Sequence, residues 1–191
     1  MNMDRTITRT IKKTRSSIKQ AKYEALSVVK FLLFLDTDQE YFQIRADNQD
    51  NSLGNQRLNW ILHLLQIFYY TKYDRLLFAD EMIALENGAV VYEIYRYLAE
   101  NDNEWLLDTL PTVPDIKGVK DKQFIATCFD YFKLHNDKCL ESLCKSDPAW
   151  FSVWREGKKN PRLEFDSENL EFYKVFCPNR LQWIERGVVA H

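Results

Sequence analysis

Between Asn55 and Lys72 the chain reads NQRLNWILHLLQIFYYTK. Leu58, Ile61, Leu62, Leu65, Phe68 and Tyr69 fall on one face at three- and four-residue spacing, and Trp60, Leu64 and Ile67 widen that face. Only Asn59, His63, Gln66 and Tyr70 remain as a polar stripe. A helix that is apolar around most of its circumference belongs inside a fold, enclosed by other elements. The pattern therefore predicts a central helix over 55–72, with its polar stripe meeting water or a neighbouring backbone.

Other apolar runs surround this one. ALSVVKFLLFL (25–35) is too short to span a bilayer. Lys30 interrupts it and no small-residue cleavage site follows, so it reads as a buried helix rather than a leader. Residues 36–55, with DNQDNSLGN, have the composition of a linker. Counted from Asp36 or from Asp47, this linker lacks the sixth-position glycine and twelfth-position glutamate of a calcium loop. In ALENGAVVYEIYRYL (84–98) the pair Asn87-Gly88 breaks an apolar and aromatic run. It supports either a hairpin turn between strands MIAL and AVVY or a helix stop. Val91, Ile94, Tyr95 and Leu98 then fit a helix, so the role of the glycine is geometric.

Residues 101–120 carry two prolines and a glycine and read as a long connection. A helix is predicted over 121–144, with Phe124, Ile125, Cys128, Phe129, Phe132 and Cys139 or Leu140 inward. Asp147-Pro148 is a helix start, with the aspartate as cap and the proline in the first turn. Ser167 is placed to cap ENLEFYKVF, which Pro178 ends. Leu181, Trp183, Ile184 and Val188 need a docking site if the last residues are to be buried. The expected fold is mainly α, a single-domain multi-helix bundle around 55–72, with room for one short β-hairpin near 82–92. Residues 1–22 form a basic N-terminal extension, 23–177 the helical domain and 178–191 a C-terminal tail.

Charge sharpens this division. Residues 1–22 hold seven bases against Asp4, whereas residues 74–115 hold ten acids against Arg75 and Arg96. Ile7, Ile11 and Ile18 recur at helical intervals in the basic arm, which orders on docking if its threonines and serines oppose the helix. Two solvated faces explain the asymmetry, as does matching to a charged partner. A net charge of −2 points to neither nucleic acid nor membrane. The arm has no interleaved aromatics, and the acidic midsection repels phosphate.

Catalytic patterns are sparse. The five glycines lie at least 30 residues apart, which excludes phosphate-cradling loops with clustered glycines. His135, Cys139 and Cys144 come closest to a metal set, but Cys144 leaves the face that the other two share and a fourth ligand is missing. Cys128, Cys139, Cys144 and Cys177 form no CxxC pair and read as reduced thiols in a cytoplasmic protein. A lone His63 on a core helix is more often structural than a ligand. The acid pairs Asp80/Glu81 and Glu100/Asp102 belong on a solvated face. No catalytic residue, metal or cofactor is assigned, and the expectation is a protein that is not an enzyme.

The span from Ala25 to Phe176 resembles the Panacea domain family, which includes SocA-like antitoxins and phage-associated proteins. An initial helix, ALSVVKFLLFL, precedes a leucine- and tyrosine-rich helix, LNWILHLLQIFYY. An L-F pair follows at Leu77-Phe78, with acids at Asp80 and Glu81. The signature W-x-x-G-P-V-V-x-x-x-Y-x-x-L is matched by LENGAVVYEIYRYL, and LESLCKSDPAWFSVW resembles a later D-P-W segment. Leu85, Ala89 and Tyr92 stand where the family has tryptophan and two prolines, while Gly88, Val90, Tyr95 and Leu98 are kept. The resemblance implies a non-enzymatic antitoxin that binds and neutralises a co-encoded toxin, in some cases as an adaptor delivering it to a protease. Gly88, Val90, Tyr92, Tyr95, Trp105 and Trp183 are the candidate partner-binding residues. The alternative is a phage-associated regulator that contacts nucleic acid through the basic arm.

Overall fold

The structure is a computed structural model and describes residues 21–38, 40–42, 52–100, 116–154, 159 and 161–186. Those residues form eight helices and one antiparallel hairpin, a mainly α fold as the pattern predicts. In chain order the elements are α1 (Ala25–Leu35), α2 (Ser52–Tyr73), β1 (Met82–Leu85), β2 (Gly88–Val91) and α3 (Tyr92–Glu100). Then follow α4 (Val119–Phe132), α5 (Asp137–Lys145), α6 (Pro148–Val153), α7 (Ser167–Phe176) and α8 (Pro178–Arg186). Residues 1–20 of the basic extension and the acidic stretch around Trp105 lie outside the described residues.

Helix α2 is the axis of the fold. It begins at Ser52, earlier than the apolar pattern, because Gly54 and Asn55 are also enclosed. Every residue from Leu58 to Tyr70 is buried. Helices α1, α3, α4, α5, α7 and α8 and strand β2 all touch it. Its all-round apolar surface is thus removed from water by neighbours on every side, which is what such a helix requires. Most of the core is one continuous cluster, and Ile67, Tyr70, Leu170 and Tyr173 form a smaller one between α2 and α7.

Two boundaries differ from the sequence reading. The helix expected over 121–144 is two helices, broken at 133–136. Asn136 takes an extended conformation and its side chain accepts from the Cys139 amide at 2.9 Å, so it caps α5. A side chain that bonds a nearby amide competes with continued helix, and the apolar period gives no hint of that competition. Asp137 beside it receives Arg57 of α2 in a two-pronged contact, which fixes where α5 starts. At α7 the cap is Asp166, which accepts from the Asn169 amide at 2.9 Å, and Ser167 is the first helical residue instead. Asp147 and Pro148 open α6 as predicted. Pro178 ends α7 and also starts α8, whose Leu181 and Ile184 enter the main core.

The start of the described chain is tied at two points. Asp80 accepts from the Ala25 amide at 2.8 Å at the N-terminus of α1, and the Tyr23 amide donates to the Leu77 carbonyl at 3.0 Å. Asp121, in the first turn of α4, accepts from Lys22 and from the hydroxyls of Tyr23 (2.6 Å) and Tyr69 (2.9 Å). The last base of the arm is therefore held at a buried carboxylate. Among the described residues no helix is long and apolar enough to cross a membrane.

Candidate partner-binding face

The hairpin pairs Met82 with Val91 and Leu85 with Gly88, so its loop is Glu86-Asn87 and Gly88 is the first residue of β2. Strand MIAL is as predicted, but Tyr92 opens α3 directly after Val91 instead of extending the second strand. Gly88 has φ +122°, a conformation that side chains strongly disfavour. A β-carbon there would lie 3.2 Å from Cβ of Cys144 and 3.2 Å from Nε1 of Trp60. The glycine turns the chain and lets α2 and α5 close against it.

Indole and amide side chains lock this turn. Trp60 Nε1–H donates to the Asn87 carbonyl at 2.6 Å, and Trp150 Nε1–H donates to the Leu85 carbonyl at 3.0 Å. The Val91 amide donates to Asn59 Oδ1 at 2.9 Å, while Asn59 Nδ2 donates to Asn55. The outer edge of β1 is covered too, since Ala84 donates to the Pro161 carbonyl and Leu163 to the Met82 carbonyl, each at 2.8 Å. Three side chains of two helices, Asn59 and Trp60 of α2 and Trp150 of α6, thus satisfy backbone groups of the hairpin.

Helix α3 grows from this base. Ile94 and Leu98 face the core, and Glu93, Arg96, Tyr97 and Glu100 are exposed. Tyr92 and Tyr95 are half-buried. Arg96 pairs with Glu93 at 2.8 Å and with Glu100 at 3.9 Å, and its guanidinium lies 5.9 Å from the Tyr92 ring centroid. The outer side of α3 is therefore a charged strip of Glu93, Arg96 and Glu100 with Tyr92 beside it, and Tyr95 and Tyr97 lie on its two flanks. In sequence the acidic run continues through Asp102, Glu104, Asp108 and Asp115.

The candidate residues divide accordingly. Gly88 and Val90 are interior and shape the hairpin from within. Tyr92 and Tyr95 share one side of α3, and Tyr97, with 41% of its surface exposed, lies on its other flank beside Glu93. Trp183 is exposed on α8, and Trp105 lies outside the described residues. Tyr97 escaped the sequence reading because it falls outside the family signature, although its spacing from Glu93 and Arg96 marks the polar face.

The polar stripe of α2 is wholly internal. Gln66 binds backbone, accepting from Leu77 (2.8 Å) and Phe78 (3.2 Å) and donating to the Phe78 carbonyl (2.9 Å). His63 Nε2–H donates to Asp147 Oδ2 at 2.7 Å, and neither side chain has exposed surface. Asp147 Oδ1 accepts from the Tyr173 hydroxyl at 2.5 Å and from the Ala149 amide at 3.1 Å. His63 Nδ1 has no hydrogen-bond partner among the described residues. Burial, reinforced by the adjacent carboxylate, pushes the Tyr173 phenol far above its ordinary range. This cluster joins α2, α6 and α7 through groups that a solute cannot reach. The sequence marked Asp147 only as a cap. Its reach to His63 and Tyr173 spans 84 and 26 residues, and no local spacing reports such distances.

Burial raises the Cys128 and Cys144 thiols, and it pushes Cys177 up to about 11. Cys144 Sγ donates to the Trp60 carbonyl at 3.7 Å, and His135 Nδ1–H donates to the Tyr131 carbonyl at 3.1 Å. Among the described residues no group of three or more His, Cys, Asp or Glu side chains is placed to hold a metal ion. Comparison with protein-family models, curated proteins and solved structures returned no match.

Proposed function

We propose that this chain is an antitoxin-like binding protein that occludes a co-encoded toxin, with α3 as the centre of its contact surface. The observation that carries the reading is the outer face of α3. Tyr92 and the flanking Tyr95 and Tyr97 border the charged strip of Glu93, Arg96 and Glu100, on a helix that leaves a hairpin held by Trp60, Trp150 and Asn59. Tyrosines on a rigid base supply contact area at low entropic cost, and such rings are preferred anchors in interfaces. The acids select a basic partner surface and speed its approach.

Nine residues of helix extend only roughly 14 Å. An interface of ordinary size, about 800 Å² per partner, must therefore also engage chain beyond α3. The acid-rich sequence after Glu100 is the natural continuation. The Panacea-like order of segments supports the same reading, and it adds delivery of the toxin to a protease as a refinement.

Co-expression with the neighbouring gene tests the proposal. The neighbour alone should arrest growth, this chain should restore it, and the two should co-purify. A triple change of Tyr92, Tyr95 and Tyr97 to alanine should weaken binding at least about tenfold while leaving the fold intact. A harmless neighbour, or toxicity that persists with this chain present, refutes the reading. If the chain is an adaptor, toxin half-life should fall only when chain and protease are both present.

A further inference from the structure

A concave surface lies between α2, α4 and α8. It is a half-open groove of about 480 Å³, within the size range of small-molecule sites. Its floor is apolar, formed by edges of Phe124, Leu181 and Ile184, which are otherwise packed into the core, with Cys128 beneath them and the half-buried Tyr73 at one side. Lys72 and Lys120 stand on its rim with Gln123 and Thr127. The ammonium of Lys72 is 5.5 Å from the ring centroids of both Tyr73 and Phe124. It is also 2.6 Å from the Glu185 carboxylate. Lys120 is exposed and has no carboxylate partner among the described residues.

We propose that this groove binds an amphipathic organic anion, an apolar body ending in a carboxylate. Among the described lining residues, two lysines against one glutamate leave one uncompensated positive charge. A lysine held over aromatic rings is partly stripped of water, so a carboxylate gains more from it than from a fully hydrated ammonium. Glu185 already displays the required contact, a carboxylate on Lys72 above an aromatic floor. The ligand carboxylate takes Lys120 and competes with Glu185 for Lys72, while its apolar body covers Phe124, Leu181 and Ile184. Glu185 thereby acts as a built-in competitor. The site lies on elements other than the hairpin and α3, so its failure leaves the toxin-binding reading standing, and the reverse holds.

The test is titration calorimetry of the full chain with dodecanoate below its micellar concentration, with dodecanol and dodecyltrimethylammonium as controls. Dodecanoate should bind at one site, weaken with added salt, and exceed both controls by at least about tenfold. Lys120→Met should weaken dodecanoate about five- to tenfold, and Thr127→Trp should abolish binding by filling the groove. Glu185→Gln should tighten it about threefold or more, because Lys72 is released. That gain cannot arise from damage to the fold, and circular dichroism checks that all three variants keep the native helix content. Absent binding, equal binding of the cationic or uncharged chain, or Lys120→Met and Glu185→Gln affinities equal to the parent would each overturn the proposal. So would an acidic peptide that occupies the groove while dodecanoate does not.

Discussion

Removing the Asp147 carboxylate should be among the most damaging single changes to this protein. Three donors end on it: His63 Nε2, the Tyr173 hydroxyl and the Ala149 amide. All three bonds are buried, and the His63 and Asp147 side chains have no exposed surface. Asp147→Ala leaves each donor without an acceptor and deprives α6 of its cap. An unsatisfied buried donor costs about 1–3 kcal/mol, and three donors lose their acceptor here. We expect a loss of about 4 kcal/mol by urea denaturation followed by circular dichroism. For a chain of this size that corresponds to roughly 8–16 °C in Tm. Asp147→Asn keeps the shape and the acceptor toward Tyr173 and Ala149, so it should cost less. The amide faces His63 only if the imidazole moves its proton to Nδ1, which has no partner among the described residues. A loss of about 1–2 kcal/mol is expected for Asn. Glu93→Ala, on the exposed side of α3, should change stability by no more than about 0.5 kcal/mol. A loss below about 1 kcal/mol for Asp147→Ala, or equal losses for Ala and Asn, would refute the picture of a closed cluster whose donors have no alternative.

Two further changes probe the base of α3 and the start of α1. Gly88→Ala imposes a side chain at φ +122° and presses on Cys144 and Trp60, so denaturation should show a loss of about 2–3 kcal/mol. Affinity for the proposed partner should fall with it if the hairpin positions α3. For Asp121, burial alone would raise the carboxyl, but bonds from Lys22, Tyr23 and Tyr69 outweigh it and hold the group below the usual carboxylate range. Its contribution to stability is therefore complete above the unfolded carboxyl range and is lost as pH falls through the folded value. Asp121→Asn should destabilise the protein near neutrality and flatten the acid limb of a stability–pH curve; an unchanged limb would exclude this carboxylate as an acid-sensitive group.

Much of the architecture was legible in residue order alone. The apolar period of 58–69 is long and nearly continuous, so it announces a central helix without help from its neighbours. Asp147-Pro148 marks a helix start because cap and proline act within a single turn. The break at Asn136 was missed because capping depends on one side chain choosing an amide three residues ahead. The periodicity of Phe124 to Leu140 runs smoothly through that choice. The turn was half legible: Asn87-Gly88 flagged a change of direction, but only Trp60 and Trp150 decide which backbone carbonyls are held.

The candidate surfaces follow the same division. Tyr92, Tyr95 and the acids around them are visible as composition, yet their common face exists only because α3 starts at Tyr92. Lys72, Lys120, Phe124 and Ile184 carry no joint signal along the chain, and their groove arises where three helices diverge. Residue order by itself determined which segments had to be buried and where helices could start, since both rest on contacts within a few residues. Tertiary structure alone decided which polar groups meet, because Asp147, Asp121 and the two indoles act across gaps of 26 to 99 residues. At such separations the partner is set by packing geometry, which no local pattern encodes.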